Sequence, residues 1–355
     1  MQMTGLITAP VVGAWVDRVG PRIVAIVGLL GHAAMYVVIA RSSGSLGLFY
    51  LSFAALAVCA SGTLPITWTT VINNWFRDNR GLAIGLTMAG TGLAAGLAPR
   101  FVQYLISNTG WRSAYAGIGV TALVISLPVV LLAFRPRPAD ADSLPVERGI
   151  TGEWGLTRHE AIQSYRFWAL GAALFIITLA INGLIANLVP VLLDDGWSAG
   201  KAAASVVFLG PAVVVGRVVA GLLVDRIWAP GVAALFFVQP VIAMLAIASL
   251  PMTPVVAVSS AVLLGLAVGA ELDLLAFMTS RFFGTRHYGA VFGGIYAFFT
   301  VASGLAPLAY ARTHDTFGTY RPILLLAALG LVVAIGLLLS LGRYPESRAG
   351  DGRTS

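Results

Sequence analysis

Four ionisable side chains sit well inside long apolar runs: Arg100, Arg217, Glu271 and Asp273. On insertion scales each costs at least ~2.5–3.5 kcal/mol at the centre of a spanning helix, so such groups normally face a cavity or a partner. Glu271 lies ten residues before Arg281, hence ~15 Å deep along a helix. That places it close to a bilayer midplane. Desolvation disfavours the ionised form of a carboxyl, which suits a proton carrier. Asp273 follows two residues later and projects about 200° away, so the two acids cannot share one proton on a regular helix. One is expected to face a cavity and the other a neighbouring helix. Glu271 is the candidate coupling residue. The competing reading is a structural pair, with either carboxylate locked to an arginine.

Arg217 lies eight residues before Asp225. A fixed guanidinium can bind a carboxylate through two parallel hydrogen bonds. The alternative is snorkelling over ~12 Å to the nearer membrane edge. Arg100, seven residues before Ser107, is nearer its edge, and snorkelling outward is the favoured reading there. No HExxH, DDxxD, Walker loop or GxSxG occurs. An enzyme would need such a constellation, and neither a cofactor nor a metal is implied. The single cysteine, Cys59, excludes an internal disulfide and a cysteine-based metal cluster.

The elements that must carry these residues are set by composition. Apolar residues make up 58% of the chain, charged residues 10%, and mean hydropathy is +0.88. A soluble domain carries roughly 25% charged residues, so this chain is expected to face lipid. The net charge of +7 comes from arginines in short gaps between apolar runs, which does not point to nucleic acid. Spans are expected at about 1–16, 23–40, 47–74, 81–107, 113–134, 167–193, 202–224, 229–250, 254–280, 288–311 and 322–341, each judged against the ~20 residues that cross a bilayer. The loops after the first, third, fifth, seventh and ninth spans, with the C-terminal tail, hold 15 Lys and Arg; the opposite loops hold 5. That excess predicts a cytoplasmic location for the first set. The polar stretch 135–166 then reads as a cytoplasmic linker, with a short amphipathic helix near 157–165.

The chain also repeats itself. Gly13, Asp17 and Arg18 return 208 positions later as Gly221, Asp225 and Arg226; Gly81 and Gly85 return as Gly289 and Gly293; Gly96-Leu97-Ala98-Pro99 returns as Gly304-Leu305-Ala306-Pro307. A duplicated half of this length in a hydrophobic chain predicts a transporter built from two packed halves. The four intramembrane charges have no charged counterpart: the matching positions are Leu308, Ala9, and Thr63/Leu64 with Pro65/Ile66. By the same arithmetic the first helix and the start of the second lie upstream of Met1, roughly 40 residues. A truncated, non-functional transporter is therefore one of the alternatives.

Gly13 to Arg22 resembles the GxxxDRxGxR signature between helices 2 and 3 of the major facilitator superfamily, with Gly13, Asp17, Arg18, Gly20 and Arg22 at the fixed positions. The second copy keeps Gly221, Asp225 and Arg226, but Trp228 and Pro230 replace the later glycine and arginine. Trp75-Phe76 followed by Arg80-Gly81-Leu82-Ala83, then Gly269-Ala270-Glu271-Leu272-Asp273 and Arg281-Phe282-Phe283-Gly284, are similar to the monocarboxylate and oxalate/formate transporter-like branch. The resemblance implies an all-α polytopic membrane protein with the major facilitator fold. It would have two helical bundles (1–134 and 167–341), about 11 of 12 transmembrane helices, a linker at 135–166 and a tail at 342–355. It implies alternating access, and proton-coupled transport of a small organic anion across the inner (plasma) membrane by a monomer in the lipid bilayer. Drug or metabolite efflux is the alternative. It implies that Arg217 matches the helix 8 arginine of monocarboxylate transporters. Their aspartate four residues earlier is Val213 here, leaving Glu271 as a possible replacement. Cavity-lining helices 4, 7 and 10 make Trp68 and Asn182 candidates for orienting substrate. Finally, Asp17 is expected to act as a gate by meeting the positive N-terminus of the helix starting near Tyr288, with Gly13 letting the two helices approach.

Overall fold

The computed structural model describes residues 4–42, 45–76, 79–134 and 154–345, without the side chains at 93, 95, 96, 99 and 100. Within lipid, a backbone must satisfy its own polar groups, so an apolar chain of this kind folds as helices. Thirteen are described: α1 (Thr4–Val19), α2 (Pro21–Ala40), α3 (Leu46–Ala60), α4 (Pro65–Trp75), α5 (Arg80–Ala133), α6 (Arg158–Gln163), α7 (Tyr165–Asp194), α8 (Ala199–Val206), α9 (Leu209–Val224), α10 (Ala229–Ser249), α11 (Pro254–Phe283), α12 (Tyr288–Phe317) and α13 (Arg321–Leu339).

The breaks follow local chemistry. Proline opens α2, α4 and α11, where a missing N–H costs nothing. Ser45, Ser164, Ser198 and Thr253 cap α3, α7, α8 and α11 through their hydroxyls. The span expected at 47–74 is interrupted by a 3₁₀ turn over Ser61–Thr63. The span expected at 202–224 divides into α8 and α9, where Pro211 lacks the N–H that would bond back to Val207. The spans expected at 81–107 and 113–134 are the two arms of α5, turned at Gly110 by a φ of 78°.

Nine segments are long and apolar enough to cross a membrane among the described residues. Of the eleven expected, 1–16 forms α1, which at 16 residues falls short of a full span. The span 81–107 is the first arm of α5, where several side chains lie outside the description. The short helix expected near 157–165 is α6, ending at Gln163, with α7 beginning two residues later. Residues 135–153 of the expected linker and 346–355 of the tail lie outside the described residues.

The helices pack in a crossed pattern. α1 packs on α12 and the first arm of α5 on α9, so each sequence repeat sends one helix to the other. Within the second repeat, α7 packs on α12 and α13, α10 on α11 and α13, and α9 on α11. The main apolar core lies among these helices. Among the candidate spans α7 is the most buried and Phe101–Ala133 of α5 the least. The end of the molecule bearing Asp17, Asp225 and α6 is called here the basic face.

Candidate functional site

At the basic face two aspartates each grip the start of a helix from the other repeat. Asp17, at the end of α1, accepts the Gly289 N–H on Oδ1 at 2.9 Å and the Ala290 N–H on Oδ2 at 2.7 Å. Asp225, just after α9, accepts the Gly81 N–H at 2.7 Å and the Leu82 N–H at 2.9 Å. The first N–H groups of a helix have no partner within it and carry the positive end of its dipole, so a carboxylate satisfies two donors and a partial charge together. The glycines allow the approach. A Cβ at Gly13 would overlap the Gly289 carbonyl, and one at Gly81 would lie 2.6 Å from the Gly221 carbonyl oxygen. One turn on, Gly293 and Gly85 would each place a Cβ 2.5 Å from a carbonyl oxygen, of Ala9 and Arg217 respectively. The Gly81/Gly85 and Gly289/Gly293 pairs are thus backbone contact points between repeats.

Two side-chain bonds join the repeats nearby. The buried Tyr288 hydroxyl donates to Thr69 Oγ1 of α4 at 3.0 Å, and Arg80 donates to Ser280 Oγ of α11 at 3.2 Å. The chain entering α6 also pairs with the α11–α12 loop. Leu156 N–H donates to Phe283 O at 2.8 Å and Thr285 N–H to Trp154 O at 3.1 Å. Between them Gly155 faces Gly284, whose φ is 80° and whose Cβ would overlap the Trp154 carbonyl. This loop leads directly into Gly289 and Ala290.

Deeper in the molecule, the two acids of α11 turn to different neighbours, as their 200° separation requires. Glu271, 3% exposed, accepts a short hydrogen bond from Thr178 Oγ1 of α7. Asp273 accepts from Arg217 Nη1 of α9 at 2.6 Å, with side-chain exposures of 3% and 7%. Asp273 Oδ2 and Arg217 Nε are buried and have no partner among the described residues. Arg217 therefore does not snorkel, and one of the two acids is locked to an arginine. Glu271 borders a void of about 10 Å³, about the room for one water. The void's walls, including Leu174, Phe237 and Leu338, all belong to the second repeat.

The other candidates are held internally. Trp68 donates its indole N–H to Thr63 O at 3.1 Å and packs edge-on against Phe134. Asn182 donates to Ser303 Oγ of α12 at 2.9 Å. Arg22 donates to Leu131 O at 3.2 Å, while Arg18 and Arg226 are exposed. Gly20 makes the turn between α1 and α2 at a φ of 88°. The side chain of Arg100 lies outside the described residues. No cluster of three or more His, Cys, Asp or Glu occurs among the described residues.

Sequence reasoning missed Thr178, Tyr288 with Thr69, and the grip of Asp225 on α5. The last was within reach: subtracting 208 from the helix start near Tyr288 gives Arg80, where α5 begins. Thr178 and Glu271 both lie ~20 Å from the basic-face end of their helices, but depth alone does not pair them. Nothing in the sequence singled out Thr69.

The family model described as Major Facilitator Superfamily matches residues 1–307. Monocarboxylate transporter 13 of Rattus norvegicus is 28% identical over 345 residues, covering 95% of this chain and 77% of that protein. The oxalate:formate antiporter of Oxalobacter formigenes is 29% identical over 192 residues, covering 53% of this chain and 44% of its own. In structure the chain is similar to the E. coli transporter FucP in its outward conformation, with a TM-score of 0.74 at 14% identity, over 96% of this chain and 88% of that one. The fold, the crossed helix contacts and the family match agree, and the chain is a multi-pass membrane transporter that belongs to the Major Facilitator Superfamily.

Proposed function

We propose that the protein is a proton-coupled carrier of a small organic anion, a monocarboxylate above all, working by alternating access in the plasma membrane. The observation that carries this reading is the buried Arg217, held by a single oxygen of Asp273 while its Nε has no partner among the described residues. A carboxylate substrate could replace Asp273 on the guanidinium once Asp273 takes up a proton, so the arginine is never left uncompensated. Among the described residues, the void beside Glu271 has room for one water and not for an organic anion. Glu271 therefore serves proton movement, with Thr178 fixing one oxygen. The relatives described as monocarboxylate transporter 13 and an oxalate:formate antiporter support the substrate class.

The two repeats, 1–134 and 167–341, act as two bundles joined by the linker 135–166, with the tail 342–355 beyond. The arginine excess of the loops supports a cytoplasmic basic face. In this reading the state with both aspartates engaged is the one closed to the cytoplasm. Release of Asp17 and Asp225 from α12 and α5 would open that side. Trp68 and Asn182 act through helix packing in this scheme.

The test is uptake of radiolabelled short-chain carboxylates into proteoliposomes with and without an inward proton gradient. Uptake should follow the gradient and be lost in Arg217→Gln. Gradient-independent uptake, or full activity in Arg217→Gln, would overturn the assignment.

A further inference from the structure

A cavity of about 540 Å³ opens at the basic face between the two repeats, within the size range of small-ligand sites. Asn79 and Arg80 at the start of α5 form one wall. Arg226 and Trp228 from the α9–α10 turn, with Arg281 of α11 and Tyr344 beyond α13, form the other. Three guanidiniums from three separate elements line it, and the one acid among the described lining residues is Asp225. Both oxygens of that acid are already engaged by the Gly81 and Leu82 N–H groups. Arg80 is braced by Phe76 O at 3.1 Å and by Ser280. Arg281 lies over the Tyr344 and Phe277 rings, at 4.9 and 5.8 Å from their centres. Tyr344 is itself fixed by the Ala229 N–H at 2.9 Å, and Trp228 donates its indole N–H to Gly342 O at 3.2 Å. The site is thus a braced, cationic and partly aromatic recess rather than a row of solvated surface charges.

We propose that this cavity binds a phosphate group carried on a small polar body, either a soluble phosphoester or the headgroup of an anionic lipid. Planar guanidinium forks from different directions suit a tetrahedral oxyanion better than a lone carboxylate. The volume exceeds that of bare phosphate and leaves room for a glycerol-sized remainder against Trp228 and Tyr344. One wall comes from each repeat, so the bound anion favours the state in which Asp225 grips α5. This site is separate from Arg217 and Glu271, and it does not depend on what the protein transports.

The full chain in neutral detergent should show a saturable rise in unfolding temperature with inorganic phosphate, about 4 °C at a hundredfold excess over the dissociation constant. Chloride at matched ionic strength should give none. In a second arm without free phosphate, nanodiscs of phosphatidylcholine with phosphatidylglycerol should stabilise the protein relative to phosphatidylcholine alone. A response in the first arm only assigns a soluble anion, and in the second only a lipid headgroup. Either response should vanish in Arg226→Gln/Arg281→Gln. No response in either arm, or an unchanged response in the double variant, overturns the proposal. Should that variant not fold, hydrogen exchange on the unaltered chain decides: phosphate or the anionic lipid should protect residues 225–228 and 277–281, and no protection overturns the site.

Discussion

The two aspartate grips on the basic face hold the same bonds in different surroundings. Asp17 is followed by Gly20, whose positive φ turns the chain in one residue into Pro21 and α2, and by Arg22, which reaches back to Leu131 O. Asp225 is followed by Trp228 at a φ of −56°. Its turn is tied down by Gly342 and Tyr344 from beyond α13. Yet the carboxylate geometry agrees to within 0.2 Å, and the opposing glycines occupy matching places. The essential unit is one carboxylate, two helix-start N–H groups and glycine on both helices. The loop that follows is replaceable, provided something fixes it. This is why the second copy of the motif lost its glycine and arginine without losing the contact.

The largest expected effect lies where the repeats differ most. Ala9 and Arg217 are repeat equivalents, and each presses its carbonyl on a glycine, Gly293 or Gly85. Arg217→Ala would make the second repeat resemble the first and strand Asp273, at a cost of about 3–5 kcal/mol. Adding Asp273→Asn should restore most of the lost unfolding temperature while uptake stays absent. A stable single variant would show that the pair does not hold α9 to α11.

Next come the glycines. Gly13→Leu and Gly81→Leu each force a side chain onto backbone or Val224, costing about 1–3 kcal/mol in the state with both grips engaged. Labelling of cysteines introduced at the basic face should rise in both. A response from one alone would break the equivalence of the two grips. Asp17→Asn and Asp225→Asn remove charge from paired hydrogen bonds, about 1.5–3 kcal/mol each. Spin-label distances across the α1–α12 and α5–α9 contacts should lengthen to similar extents, and unequal lengthening would rank the two. The smallest effects belong to the loops. Gly20→Ala should cost about 1 kcal/mol through its positive φ, and Tyr344→Phe about 1 kcal/mol by leaving the Ala229 N–H without its acceptor. Thermal melts of both variants test whether two unlike loops carry comparable weight.

Much of this was legible in the chain itself. The 208-residue repeat located both aspartates and all six contact glycines, Gly13, Gly81, Gly85, Gly221, Gly289 and Gly293. The gap between Gly13 and Asp17 put them on one helix face, and the family resemblance pointed to the helix opening at Tyr288 as the partner. The residues that complete the sites were not legible. Thr178, Thr69 and Tyr344 are ordinary polar residues without period or motif. They acquire a role only through a neighbour roughly a hundred or more positions away: Thr178 meets Glu271, Thr69 meets Tyr288, and Tyr344 meets Ala229. The pairing of Trp154–Leu156 with the α11–α12 loop is backbone to backbone and leaves only two glycines as its trace.

Sequence alone determined the solvent, the duplicated architecture, and the scarcity of buried charge, because hydropathy and spacing are local or periodic properties of the chain. It also determined that Glu271 and Asp273 must part company, because helix geometry fixes the angle between them. Only the tertiary structure decided which acid holds Arg217. Both acids were sterically open to it until α9 packed on one side of α11 and α7 on the other. That packing assigns Asp273 to the arginine and Glu271 to Thr178. In a low-dielectric interior, the nearest partner takes the charge.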